Sequence, residues 1–393
     1  MRPTAVCALL SSSSVTCPAS GNDSATSSAA GASSCSLPLG LSATHALSPV
    51  SQLPFTTRQL VLALVMLGAV VLSPVVEAAD SETHSGGVLS FKLENDILSS
   101  GDDGHYTNGF ALSYTFETPH QHWSRSLADW VPGFSAARLD ATAYRFGQQI
   151  YTPTNIDRKQ PDSDDRPYAG YLFGGVSLFA EENGQKGENR WRRVDTFNLD
   201  LGIVGPASGA KSTQQAAHNI TGSDDPEGWD HQLNNEPVVN AGWQTQLWLP
   251  AQMGSLEMEY GPSASAALGN LYTYAGVGGG IRIGHGLSRS YGIPTVAPSQ
   301  SGRQYFVPDG DFAWYLFANL EGRAVARNML LDGNSFEDSA SVDRRPLVGD
   351  IQLGFALSWQ RWQLAFVNVW RTHEFETQRE SDQFGSLTLS TWL

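Results

Sequence analysis

Cysteine is almost absent from this sequence, and its three copies lie near the start. Cys7, Cys17 and Cys35 all precede residue 36. The chain after residue 79 therefore has no thiol for a disulfide framework or a thiolate metal site. Positive charge is also scarce, because 24 basic residues face 39 acidic ones and the formal net charge is −15. A duplex nucleic-acid binder normally carries a basic surface that neutralises phosphates, so the composition argues against this class.

Long apolar runs are missing from most of the chain. After residue 79 no run reaches the roughly 20 apolar residues that a membrane-spanning helix needs, which excludes a polytopic helical membrane protein. Hydrophobic residues nevertheless make up 41% of the chain and charged residues only 16%, so a mainly disordered chain is excluded as well.

The N-terminal region differs in composition from the rest. Residues 1–55 are rich in Ser, Ala and Thr without apolar periodicity, and we expect a disordered stretch or an over-extended start. Residues 56–79 contain Arg58, a short apolar run from Leu60 to Leu72 and small residues at the end. This order is typical of a secretory signal peptide. An exported, acidic, cysteine-free and aromatic-rich chain is typical of a Gram-negative envelope protein.

The remaining residues, 80–393, contain segments in which apolar and polar side chains alternate, separated by turn residues. Leu316, Ala318 and Leu320, for example, alternate with polar residues such as Asn319 and Glu321. A period of two predicts half-buried β-strands. The predicted strands are 88–94, 107–118, 143–151, 169–182, 191–204, 238–251, 255–268, 271–284, 311–328, 346–360, 361–372 and 384–393.

A soluble all-β domain would also alternate, but three features favour a membrane barrel. Charged residues lie on the polar faces in mid-strand, which suits a hydrated lumen, and the chain ends in an alternating strand at Leu393. Tryptophans near strand ends suit interfacial girdles. The prediction is an all-β protein, a transmembrane antiparallel β-barrel of about twelve strands with a short helix in an extracellular loop. The charges are Glu257, Glu259, Glu321, Arg323 and Arg327, and the tryptophans are Trp248, Trp314, Trp359, Trp362 and Trp370.

The first of three candidate clusters lies at the first hairpin. Strand parity with both chain ends in the periplasm puts loops 95–106, 152–168 and 205–237 on the outer side. Asn95, Asp96 and Thr107 carry hard oxygen ligands that suit Ca²⁺, although an ordinary hairpin loop uses the same residue types. Asn95 continues the lipid-facing set of the first strand. Strict alternation puts Thr107 on the other face, so ligation by Thr107 requires a break in phase or its backbone oxygen.

The second and third clusters supply cations, a histidine and acids. Arg158 or Lys159 can hold a substrate phosphate, and a solvated charged loop is the alternative. We predict a short helix over Thr213–Ile220, capped by Ser212 and closed by Gly222, which carries His218. A histidine near carboxylates can act as a general base, whereas a lone helical histidine is more often a surface residue. The acids that follow are Asp224 and Asp225, and His105 and His231 are competing histidines.

Taken together, the motifs resemble the lipid A 3′-O-deacylase family of Gram-negative outer membranes. The resemblance implies a twelve-stranded barrel with a Ca²⁺-dependent esterase site between its outer wall and a helix of an extracellular loop. It also implies lipid A, or lipopolysaccharide, as substrate in the outer membrane. The matching motifs are Glu94-Asn95-Asp96, Tyr106-Thr107-Asn108-Gly109, Gln149-Ile150-Tyr151-Thr152-Pro153, Arg166-Pro167-Tyr168-Ala169-Gly170, Ile203-Val204-Gly205-Pro206, His218 with Gly222, and Gly228-Trp229 to Pro237.

The resemblance assigns roles to individual residues. It implies that His218 takes a proton from the water that attacks the acyl ester, that Ca²⁺ stabilises the oxyanion, and that no covalent acyl-enzyme forms. Lys159 is an approximate match to a basic substrate-contacting residue. Asp224, with Asp225 adjacent, matches an acid that follows the histidine and is one methylene shorter than the usual Glu. The calcium-site residues correspond to Asn95, Asp96 and Thr107.

Two other functions stay open. The barrel can act on another ester lipid, such as a glycerophospholipid, or it can be a non-enzymatic pore or structural barrel in which Glu321 and Arg323 matter more. Residues 119–142, with Trp123 and Trp130, form a longer connection than in the best-known member of the family. This connection is periplasmic by parity, and we expect no catalytic role for it.

Overall fold

The computed structural model describes residues 86–99, 105–186, 189–223, 225–294, 296, 298, 306–308 and 311–393. The expected low-complexity stretch 1–55 and signal peptide 56–79 lie outside the described residues. Within the described ranges, no helix is both long and apolar enough to cross a membrane.

Twelve antiparallel strands form a closed barrel in which each strand pairs with its neighbours in the sequence and β1 pairs with β12. The predicted fold class is confirmed, and every predicted strand is present with boundaries that differ by at most four residues. The strands are β1 Gly87–Asn95, β2 His105–Glu117, β3 Ala141–Thr152, β4 Ala169–Lys186, β5 Asn189–Val204, β6 Glu236–Met253, β7 Leu256–Gly269, β8 Tyr272–His285, β9 Ala313–Asn328, β10 Leu347–Trp359, β11 Trp362–Arg371 and β12 Asp382–Trp392.

Each strand presents one face to the lipid side and one to the lumen. On β9, Leu316 and Leu320 are 53% and 60% exposed, whereas Tyr315 and Phe317, on either side of Leu316, are buried. Leu320 lies opposite Ile351 of β10, which is also exposed, so apolar rows continue from strand to strand. Successive strand residues point to opposite faces, and this produces an apolar outer wall around a more polar interior.

Of the predicted lumen charges, Glu259, Glu321 and Arg323 are buried, whereas Glu257 and Arg327 are half-buried near strand ends. The buried lumen charges pair with one another instead of lining open water. Asp350 accepts hydrogen bonds from Arg323 at 2.8 Å and from Arg371 at 2.9 and 3.0 Å. Glu259 accepts from Arg192 at 2.9 Å and Arg282 at 2.7 Å. These side chains are buried, so this part of the lumen is packed with ion pairs.

We expect the Asp350→Ala variant to lose about 3–5 kcal/mol of unfolding free energy, because it leaves two buried guanidinium groups without their shared carboxylate. Urea unfolding of the refolded barrel in detergent measures this loss. Glu376→Ala is the matched control. The Glu376 carboxylate pairs with exposed Arg345 at 3.2 Å, and such surface pairs contribute about 0–1 kcal/mol. Equal losses of unfolding free energy in the two variants would show that the lumen ion pairs stabilise the barrel no more than a surface pair does.

The long connection between β8 and β9 starts on the periplasmic side by strand parity, and its described parts enter the lumen. The backbone oxygen of Ser290 accepts hydrogen bonds from Arg192 and Arg282. Val296 forms two backbone hydrogen bonds with the Gln352 amide, and Tyr274 donates to the carbonyl of Pro298. These contacts place polar lumen side chains against backbone, which fills the barrel where an open channel would need space.

One tryptophan assigned to the interfacial girdle is in the wrong place. Trp248 is fully buried, and its ring lies 5.2 Å from the guanidinium carbon of Arg282 inside the barrel. Its position near a strand end was correct, but alternation along β6 turns it inward. Trp314, Trp359, Trp362 and Trp370 remain partly exposed on the wall, so the girdle prediction holds for them.

Among the described residues, three short helices occupy the connections: α1 Trp123–Ala128, α2 Ala210–Thr221 and α3 Met329–Asp332. The predicted helix around His218 is present as α2, but it begins earlier than expected. Gly209 precedes it with φ 72°, a left-handed conformation that suits glycine, and follows a 3₁₀ turn. Ser212 therefore lies inside the helix, and its assignment as the cap is wrong. Gly222, with φ 76°, ends the helix as predicted.

Candidate functional site

Helix α2 packs against the outer wall of the barrel on β3 and β4. On β3, Gln149 and Tyr151 line a lumen cavity. Because successive strand residues point to opposite faces, the alternate residues Gln148 and Ile150 face outward. Gln148 donates to the backbone oxygen of Ser208 at 2.6 Å, and Ile150 clusters with Ala210 at the start of α2. A part of the wall that would otherwise face lipid is thus covered by the third outward loop.

His218 lies on the side of α2 that is turned toward the protein. Ala210, Gln214 and His218 recur every four residues and are 1%, 1% and 6% exposed. Residues four apart share one face of a helix, so the three side chains form its buried face. The alternative reading of His218 as an ordinary surface histidine is wrong.

Trp229 holds this buried face in place. Its indole nitrogen donates to the Gln214 side-chain oxygen at 2.8 Å, and both residues are buried. Gln214 precedes His218 by one helical turn. The four-residue spacing was visible in the sequence, but its meaning depends on Trp229 reaching back across the loop. Sequence reasoning missed Gln214 for this reason.

The second and third outward loops form one packed unit. The rings of Tyr168 and Trp229 lie 5.0 Å apart, and the backbone nitrogen of Leu233 donates to the carbonyl of Tyr168 at 3.0 Å. The nitrogen of Glu227 donates to the carbonyl of Ile156 at 2.9 Å. Burial raises the pKa of Tyr168 to about 12, so its phenol stays neutral near pH 7. The predicted clusters in these two loops are therefore neighbours.

The two predicted substrate-binding cations lie on the surface of this unit. The Lys159 side chain is 85% exposed, with its ammonium 3.8 Å from the Glu227 carboxylate. Arg158 pairs with Asp162 at 2.8 Å, and both side chains are more than half exposed. Exposed pairs of this kind are weak, so both cations can exchange their partners for an anionic ligand.

The two predicted acids, Asp224 and Asp225, come shortly after the end of α2. Asp224 lies outside the described residues. Asp225 is exposed and follows the end of α2, where the nitrogens of Gly222 and Ser223 both donate to the carbonyl of His218. A carboxylate that orients the His218 ring stays a prediction.

The predicted calcium residues meet at the outer ends of β1 and β2. Asn95 is the last residue of β1, and Asp96 begins a 3₁₀ turn with only 1% of its surface exposed. Thr107 lies at a register shift, since Tyr106 is opposite Tyr151 whereas Asn108 is opposite Ile150. This bulge turns Tyr106 toward the lumen and Asn108 outward, so strict alternation does not continue through Thr107.

A row of outward-facing positions connects this hairpin to the part of the wall that α2 covers. Asn95 lies opposite Asn108, Asn108 opposite Ile150, and Ile150 opposite Gly170. Four adjacent strands span about 14 Å at about 4.8 Å per pairing. A helix of 12 residues such as α2 is about 18 Å long, which is enough to cross all four.

The donor set at this hairpin fits a hard cation. The predicted ligands would be the amide oxygen of Asn95, the carboxylate of Asp96 and an oxygen of Thr107. Calcium takes six to eight oxygen ligands, so such a set leaves positions for water and substrate. Within the described residues, no group of three or more His, Cys, Asp or Glu could hold a metal. Asp96 is the one carboxylate among the three predicted calcium residues.

We expect Gly170→Ala to lower activity without disturbing the barrel. An added Cβ at this outward position would overlap Ser208 and the Cβ of Ala210, which forces the start of α2 away from the wall. Gly174→Ala is the matched control on the same face of β4, because its Cβ would meet only one backbone oxygen at 3.9 Å. Acyl-release assays measure the difference. Equal activity in the two variants would show that the close approach of α2 is unnecessary.

The fold and this site define a class: a twelve-stranded outer-membrane barrel with a helix bound to its outer wall and polar residues at the neighbouring rim. The profile of the family described as outer membrane protein LpxR matches residues 60–393. The chain belongs to this family, and membership makes it a lipid A deacylase-like protein of the outer membrane.

The solved structure of a member of this family supports the fold. LpxR from Salmonella typhimurium superposes with a TM-score of 0.64 at 19% identity, over 78% of this chain and 100% of that chain. The translocator domain of the autotransporter NalP from Neisseria meningitidis gives a TM-score of 0.35 at 10% identity, over 86% and 95%. A search of curated protein sequences found no match.

Proposed function

We propose that this protein hydrolyses an acyl ester of lipid A in the outer leaflet of the outer membrane and depends on Ca²⁺. The observation that carries the proposal is the position of His218. Its side chain is buried on the protein-facing side of a helix that lies on the outer wall, and outward positions lead from that helix to Asn95 and Asp96. A base and a set of cation ligands thus share one side of the barrel.

The outer wall is the right place for a lipid substrate. Acyl chains in the outer leaflet reach the wall from the side, whereas ion pairs and the described parts of the connection after β8 occupy much of the lumen. The exposed Lys159 lies beside the segment that follows α2 and can pair with a phosphate of the substrate headgroup. This arrangement favours an enzyme acting at the wall over a pore.

In the proposed reaction, the neutral His218 imidazole accepts a proton from a water molecule. The oxygen of that water attacks the acyl carbonyl, the ester C–O bond breaks, and the proton passes to the leaving alkoxide. The products are a free fatty acid and a lipid A hydroxyl group. Water is the nucleophile, so no acyl-enzyme forms. General-base catalysis of this kind contributes about 10²–10⁴-fold. Asp224 or Asp225 would orient the imidazole ring.

Asn95, Asp96 and Thr107 would hold the calcium ion. When bound there, Ca²⁺ acts as a Lewis acid that stabilises the negative charge on the ester oxygen. The residues of the chain do the rest: His218 moves the proton, Lys159 binds the headgroup, and Trp229 holds the buried face of α2 that carries His218 through its hydrogen bond to Gln214.

The test uses the purified protein with lipid A in detergent, analysed by mass spectrometry, with or without a chelator. We expect calcium-dependent loss of one acyl group. A folded protein that leaves lipid A intact would refute the proposal. Release of fatty acid from a glycerophospholipid but not from lipid A would replace the substrate, and ion conductance in planar bilayers without hydrolysis would replace the function.

A further inference from the structure

The connection between β2 and β3 covers part of the lipid-facing wall. Residues 127–139 pack on outward side chains of β4 to β6 that would otherwise face lipid. Elsewhere such positions are open, since Leu268 and Val277 are both 72% exposed. The covered wall residues are Val176, Leu178, Ala180, Phe197, Leu199 and Trp243, and the covering residues include Leu127, Ala128, Val131, Phe134 and Leu139.

This cover extends to membrane depth. Tyr144 on β3 lies opposite Val176 and six residues from Ile150, which is near the outer end of that strand. Six residues span about 20 Å of strand. With the usual tilt of 35–45° this is about 15 Å along the membrane normal, within an apolar band about 25 Å tall. The connection therefore occupies space that lipids of the periplasmic leaflet would fill.

The connection is held firmly to the barrel. Arg125 of α1 donates to the backbone oxygens of Thr118, Pro119 and Ala136, which closes the segment on itself. The indole nitrogen of Trp123 donates to the hydroxyl of Tyr144 at 3.0 Å, a side chain of the lipid-facing wall. These contacts fix the orientation of its outer surface.

That outer surface is aromatic. Trp130 is 85% exposed and Trp123 is 51% exposed. Trp123 contacts the lipid-facing Tyr144, and Trp314 and Trp359 occupy the same end of the barrel on β9 and β10. Tryptophan prefers the interface between acyl chains and headgroups, where its ring is apolar and its N–H remains hydrated.

We propose that residues 119–140 are a membrane-interface element that binds the phospholipid surface of the periplasmic leaflet, with Trp123 and Trp130 as the side chains that enter it. The continuity with the lipid-facing wall on both sides favours a phospholipid surface as the occupant over a soluble partner. The element lies at the opposite end of the barrel from α2, so this proposal is independent of the proposed esterase activity.

Spin labelling tests the proposal. In the full chain with Cys7→Ser, Cys17→Ser and Cys35→Ser, a cysteine introduced by Trp130→Cys is the only thiol and takes a single nitroxide label. The protein is refolded into vesicles of phosphatidylethanolamine and phosphatidylglycerol, with a water-soluble nickel complex on both sides. Electron paramagnetic resonance then compares collisions of the label with oxygen, which concentrates in lipid, and with the nickel complex.

Two reference positions calibrate the result. Val277→Cys reports the lipid-facing wall, and Ser163→Cys reports an exposed outward loop. We expect the oxygen-to-nickel collision ratio at position 130 to lie well above that at position 163 and below that at position 277. A ratio equal to that at position 163 would overturn the proposal and show a water-facing surface. If Trp130→Cys does not refold, the same measurement is made on Ser126→Cys, because Ser126 is an exposed residue of α1 in the same connection.

Discussion

Replacing His218 with alanine should lower the rate of acyl release by about 10²–10⁴-fold, the contribution of a positioned general base. The imidazole is the proposed general base, and it lies on the buried face of α2. The barrel should remain folded, because its strand ladder does not depend on this side chain. Mass spectrometry of lipid A, together with heat-dependent migration on gels, measures activity and folding in the same samples.

His231→Ala is the matched control for this variant. His231 lies in the same outward loop, ends the 3₁₀ turn that starts at Trp229, and is exposed. It should keep nearly full activity. If both variants lost activity equally, the loop as a whole would matter and the role of His218 as the base would be unsupported. Full activity of the folded His218→Ala protein would refute the proposed mechanism.

The sequence predicted the barrel well because its main signal is local. A period of two follows from strand geometry alone, and one face in lipid makes the apolar half of that period strong. Tertiary placement carries no such period. Trp248 fits an interfacial tryptophan by position and points into the lumen, and the connection carrying Ser290 and Val296 enters the barrel although nothing in its composition marks it.

The candidate site was only partly predictable for a similar reason. Asn95 stood out by strand phase, whereas His218 was singled out only through the resemblance to a family, and the structure places both on the outer side of the barrel. The row from Asn95 to Gly170 depends on the register of four strands, which includes a bulge at Thr107. One extra residue in a ladder reverses the facing of every later side chain, and the sequence gives no direct sign of it.

Chelation of calcium should abolish acyl release, and Asp96→Asn should shift the calcium requirement to higher concentration. Loss of one group that stabilises an oxyanion costs about 10²–10³-fold in rate, and loss of the cation removes that stabilisation altogether. Asparagine keeps the shape of Asp96 but removes the one negative charge of the predicted ligand set. Activity measured against free calcium concentration should therefore give a higher half-maximal value, with the maximal rate approached at saturation.

Asp162→Asn separates a local effect from the general acidity of the chain. Asp162 is an exposed carboxylate in an outward loop, and its partner is Arg158. Its loss should leave the calcium curve unchanged. A readout without turnover adds a second check, since a ligand at 100 times its Kd stabilises the folded state by about 2.7 kcal/mol. Calcium should raise the unfolding temperature of the unmodified protein and of Asp162→Asn more than that of Asp96→Asn. Identical calcium shifts in all three proteins would place the cation elsewhere, and activity that persists in chelator would remove calcium from the reaction.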